Sequence, residues 1–158
     1  MKKLITSFIT LAFILATTPF VLAADYDIEL VVQDGKESKE TDAVLRVNED
    51  SFQIIIEKQR FKAHEKSFTY KDIKTADYSF SKKPMLSGGG AVATALLVGF
   101  IFALPFLFIK KKNHWLTVQG EKDFAVMKLG ASNFRAIVAD LKTRGVDVKE
   151  VKEEVKGK

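Results

Sequence analysis

The chain has 158 residues, 47% of them hydrophobic and 28% charged, with 25 Lys/Arg against 20 Asp/Glu. It has no cysteine, which excludes disulfides, thiolate metal sites and a cysteine nucleophile, and its two histidines, His64 and His114, are too few for a histidine metal cluster. The apolar residues are concentrated in two charge-free runs, 4–24 and 84–109, and the remainder is alternating, charged sequence sufficient for one small core.

The chain opens with Met1-Lys2-Lys3, an apolar run, the helix-breaking Thr17-Thr18-Pro19 and then Val21-Leu22-Ala23. This is the three-part order of a secretory signal, with compact side chains at the −3 and −1 positions, and it predicts residues 1–23 as a leader cleaved after Ala23. The run is short for a membrane anchor, and Pro19 lies close to its end. Loss of Lys2 and Lys3 with the leader lowers the net charge from +5 to +3. The remaining charges alternate in sign along the chain, the pattern of a solvated surface, so nucleic acid is not an expected partner.

Residues 24–87 form the first polar piece, in which 26–80 read as strands by their period-two alternation. Tyr26, Ile28, Leu30 and Val32 share one face, Asp34-Gly35 turns the chain, and a charged loop is expected through Asp42. Residues 43–47 and 52–57 form a second and third strand around the turn Asn48-Glu49-Asp50-Ser51. Phe61 and residues 66–70 suggest one further strand or two short ones, Asp72-Ile73-Lys74 a corner, and residues 75–80 the next strand.

No charge occurs for 26 residues between Lys83 and Lys110. The densest part, 88–109, would span roughly 33 Å as a helix, about the thickness of a bilayer core. Lys82 and Lys83 flank it on one side and Lys110, Lys111 and Lys112 on the other, where long cationic side chains reach lipid head groups. Residues 88–109 are therefore expected to form a hydrophobic membrane helix with the bilayer as partner. Ala91, Ala95, Gly99 and Ala103 recur every four residues, a strip that points to helix self-association and a homo-oligomer. Trp115 has two roles open to it, an interfacial anchor beside the lysines or a packed strand residue.

Residues 110–145 continue the polar chain. Residues 114–119 read as a strand, Gly120-Glu121-Lys122 as a tight turn and 123–129 as the returning strand. Ser132 is the expected N-cap of a helix whose Phe134, Ile137, Val138 and Leu141 form an apolar stripe, with Gly145 ending it. The charged tail 146–158 is expected to be frayed helix or disorder.

Neither polar piece supplies a core by itself, but together they offer about seven strands followed by one helix. That order resembles the PH-like fold, and within it the small bacterial PH and GRAM-like domains. The resemblance is carried by DAVLRVNEDSFQIII and SFTYKDIKTADYS in residues 42–80 and by HWLTVQGEKDFAVMKLGASNFRAIVADLKTRG in residues 114–145. It implies a mainly β, partly open barrel closed by a C-terminal helix, with the hydrophobic segment inserted between strands. It also implies binding of lipids or peptides rather than catalysis, and a peptide or protein partner is expected. The acidic turn Asn48-Glu49-Asp50-Ser51 would repel phosphate, so no ligand-contacting residue carries over. No catalytic residue, metal site or cofactor is expected: no serine has a nucleophile-elbow setting, and the paired carboxylates are merely adjacent in sequence.

The membrane arrangement stays open at this level. An exported piece followed by an apolar run and three lysines is a positive-inside pattern, which would put independent soluble tails on opposite sides of the bilayer. A single domain built from both pieces instead requires both lysine groups at one interface.

Overall fold

The computed structural model describes residues 23–35, 37–87 and 111–152. Residues 1–22 of the leader, residues 88–109 with Ala91, Ala95, Gly99 and Ala103, Lys110, and the tail beyond Lys152 lie outside the described residues. Among the described residues no helix is long and apolar enough to cross a membrane.

Eight strands form one curled sheet: β1 (Ala24–Asp34), β2 (Glu37–Val47), β3 (Ser51–Ile56), β4 (Lys66–Thr69), β5 (Thr75–Ser81), β6 (Asn113–Gln119), β7 (Phe124–Leu129) and β8 (Val148–Glu150). Their spatial order is β4-β3-β2-β1-β7-β6-β5-β8. Every neighbouring pair is antiparallel except β5 with β8. One helix, α1 (Phe134–Thr143), follows β7.

The two polar pieces are woven into this one sheet. β5 and β6 pair across the apolar run, Ser79 opposite Trp115 and Ser81 opposite Asn113, while β7 pairs with β1 through Ile28 and Leu129. Independent tails on either side of a membrane are thereby excluded, because the halves share a ladder and a core. The core comes from alternate residues of the strands, Leu30, Leu45, Phe52, Ile54, Leu116 and Met127 among them, closed by Ile137 and Leu141 of α1. Burying such side chains contributes about 1.5–3 kcal/mol each.

The helix stripe reads as expected, and the stop at Gly145 has its physical cause in a positive φ of 85°. Gly145 N–H reaches Lys142 O at 3.0 Å and Val146 N–H reaches Leu141 O at 3.0 Å, a Schellman arrangement with Val146 and Leu141 both buried. Arg144 Nε and the Tyr70 hydroxyl both donate to Asn48 O, at 2.7 and 2.8 Å, tying the helix end to the β2–β3 turn.

Several expectations are corrected. The charged stretch before residue 43 belongs to β2, because the β1–β2 ladder continues unbroken to Asp34 opposite Glu37. Phe61 lies on a 3-10 turn, Gln59–His64, that drops its ring into the core. Asn133, not Ser132, precedes α1; its side-chain amide donates to Asp27 O at 2.7 Å and ties the helix start to β1. The tail supplies an eighth strand, since Val148 buries itself beside α1 and Val151 N–H donates to Tyr78 O at 2.8 Å, completing the edge of β5.

Candidate functional site

Alternation on β5 puts Tyr78 and Phe80 on the same face, and their ladder partners Leu116 and His114 share it. At the end of the sheet this face leaves the core and becomes a row of rings. Phe80 stacks on His114 with centroids 4.6 Å apart, His114 on Phe134 of α1 at 3.8 Å, and Phe134 on Tyr78 at 5.8 Å. The Tyr78 hydroxyl lies 2.7 Å from His114 Nδ1, and the Arg135 guanidinium stands 5.3 Å from the Phe134 ring centre. Burial and the neighbouring Arg135 charge both hold the His114 imidazole below its ordinary pKa, favouring the neutral ring beside the Tyr78 hydroxyl.

Phe80 is 51% exposed, and among the described residues it is the exposed large hydrophobic side chain. Lys82 and Lys83 come one and two residues past the end of β5, and Lys111 and Lys112 immediately precede β6. All four lysines are exposed. Because Ser81 and Asn113 are ladder partners, the lysine pairs that sequence places on opposite flanks of the apolar run come together at one end of one hairpin.

Trp115 does not join them. It is 1% exposed on the other face of β6, and its Nε1–H donates to Ser81 O at 3.1 Å. Of the two roles open to it, the structure shows the packed one. On the same face the chain leaving β5 folds back: Met85 N–H donates to Ser79 Oγ at 3.3 Å and Ser87 Oγ to the buried Asp77 carboxylate at 2.6 Å. The last described residue before the apolar run is thus fixed to the sheet.

Beside the ring row, a cavity of about 330 Å³ opens between α1, β5 and β8, with Tyr78, Phe134, Val138 and Val148 as its apolar lining and Arg135, Lys142 and Glu150 at its rim. Across β7 the charge reverses. A cleft of about 580 Å³ carries Asp27, Glu29, Asp42 and Glu57, with Lys128 bonded to Glu29 at 2.9 Å and to Glu40 at 2.7 Å. Burial lowers the Lys128 pKa, but the two carboxylates outweigh it and hold the ammonium charged. Among the described residues no group of three His, Asp or Glu is arranged to hold a metal ion. At the β1–β2 turn, Lys39 and Arg60 both contact Asp34, so those cations are already committed to a carboxylate.

The exposed ring was missed by sequence reasoning, which singled out Trp115 instead. The available signal was Phe80 standing two residues before Lys82, in alternation with Tyr78.

A curled sheet whose end is closed by a C-terminal helix defines a PH-like β module. No family model and no curated protein matches the chain. Among solved structures it is similar to the hSac2 domain from human phosphoinositide phosphatase Sac2, at 10% identity and a TM-score of 0.51, covering 99% of this chain and 92% of that one. The likeness is one of fold and bears on neither source nor export.

Proposed function

We propose that this chain is an exported, non-catalytic PH-like binding module held at a membrane by residues 88–109, with both halves of the sheet on the same side of the bilayer. The observation that carries this reading is the pairing of Ser81 with Asn113. The insertion 82–112 leaves and rejoins the sheet at this one pair, next to which stand the exposed Lys82, Lys83, Lys111 and Lys112, and Ser87 is tied back to the same sheet at Asp77. A run of 22 residues is too short to cross a bilayer twice as helices, so it enters as a bent or shallow insertion. The module then presents the groove between α1 and β8 to a peptide or protein near the membrane, the mode of recognition an open sheet edge with an adjacent helix allows. The fold shared with a domain of a phosphoinositide phosphatase supports a lipid-facing role. The acidic Asp34, which engages Lys39 and Arg60, argues against phosphate capture at the first hairpin.

The cysteine-free sequence makes the test direct. Lys71→Cys, upstream of the run, and Lys122→Cys, downstream of it, are labelled in separate variants with an impermeant maleimide on intact cells. Both label without permeabilisation if the reading is right, and the protein resists an alkaline wash of the membranes. Labelling of one site only after permeabilisation refutes it.

A further inference from the structure

We infer that Phe80 and the lysines around it form a membrane-docking edge that seats on an anionic bilayer surface, fixing the domain with the β5–β6 end down and the β6–β7 turn away from the lipid. This rests on the membrane-attached reading above and specifies the orientation and the lipid class.

Three observations converge on it. Phe80 exposes half its surface, yet its ring is held by His114, which is held in turn by Phe134, so the apolar tip is rigid and loses little freedom on entering the head-group layer. The exposed Lys82, Lys83, Lys111 and Lys112 adjoin the end of the ladder that carries that tip, and cationic side chains on flexible stems are drawn to anionic lipid while their methylenes lie along the apolar boundary. Of the carboxylates lining the cleft that reaches Asn113, Glu29 is engaged by Lys128 and Asp42 by Lys58, which offsets part of the acidic field next to the lysines. The edge is also where the insertion 82–112 leaves and rejoins the sheet, at Ser81 opposite Asn113. A free anionic peptide would satisfy the lysines but leaves the rigid exposed ring without a use.

Phe80→Cys in the full chain, labelled with an environment-sensitive fluorophore, reads the contact in phosphatidylcholine vesicles with and without phosphatidylglycerol, each carrying a lipid-borne quencher. With the anionic lipid, the label at position 80 shifts its emission to the blue and is quenched, whereas the same label at Lys122→Cys stays water-like. Replacing Lys82, Lys83, Lys111 and Lys112 by Gln in the Phe80→Cys chain abolishes most of the quenching. Water-like emission at position 80 in protein that floats with the vesicles overturns the docking edge and leaves membrane attachment standing. Equal quenching with and without phosphatidylglycerol overturns the anionic choice. Failure to float with either vesicle overturns the membrane reading itself. Because Phe80 is exposed, its substitution leaves the core intact, and an unchanged near-ultraviolet dichroism spectrum confirms this for each variant.

Discussion

Trp115 and His114 are neighbours on β6 and face opposite ways, and each has a measurable consequence. Trp115→Phe keeps the buried ring but orphans Ser81 O, so a loss of about 1–3 kcal/mol in urea denaturation is expected. His114 sits among Tyr78, Phe80 and Phe134 and is held below its ordinary value of 6.5 by burial and by Arg135. In the window from 6.5 down to the folded value, the unfolded chain binds more of the proton than the folded one. Stability is therefore complete above that window and falls as the pH drops through it. His114→Gln should flatten this part of the stability–pH curve, measured by denaturant midpoints at a series of pH values. A curve with the same slope in the variant would assign the effect elsewhere.

Among the elements, α1 and β8 depend on the short connection between them. Gly145 at φ 85° lets the chain reverse so that Val146 and Val148 reach the core beside Leu141. Gly145→Ala meets no neighbouring atom, so its expected cost of about 1–2 kcal/mol is backbone strain alone, read from a denaturation midpoint. Val148→Asp places an unpaired carboxylate where only 5% of the residue is exposed, and should release β8 altogether. Hydrogen exchange reads this at the Val151 amide, whose partner is Tyr78 O: it should become fast in the variant while the amides of β6 stay protected. Loss of protection across the whole sheet would show that β8 is integral to folding rather than a strand added to an edge.

For the whole molecule, the telling feature is that residues 82–112 are an insertion into a hairpin. Because Ser81 and Asn113 are already partners, deletion of residues 88–109 with a short glycine linker should leave a folded domain. Its near-ultraviolet dichroism should match that of the full chain, and it should no longer float with zwitterionic vesicles. The curl of the sheet accounts for part of this independence. Lys66 of β4 contacts Asp123, and Lys74 N–H donates to Gln119 O at 2.8 Å, so the far end of the β6–β7 hairpin is braced by β4 and the chain before β5. An aggregated or unfolded deletion product would mean that the apolar residues also hold the sheet together.

Much of this was legible in the amino-acid order. Alternation along residues 24–34, 43–47 and 113–129 fixes which side chains share a face, and the stripe Phe134, Ile137, Val138, Leu141 with Gly145 after it fixes a short amphipathic helix and its end. Those are local properties, set by backbone geometry within a few residues. Which strand lies beside which is not local. Nothing in residues 75–81 or 113–119 alone says that they pair across the apolar run, nor that Val148 finds the free side of β5. The same limit explains the aromatic residues. Trp115 and Phe80 both stand close to lysines in sequence, and only the ladder puts the indole against Ser81 and leaves the Phe80 ring half exposed at the last pair but one of the β5–β6 ladder. Burial depends on what lies opposite, and that is decided by the packing of distant segments, not by the residues that are buried.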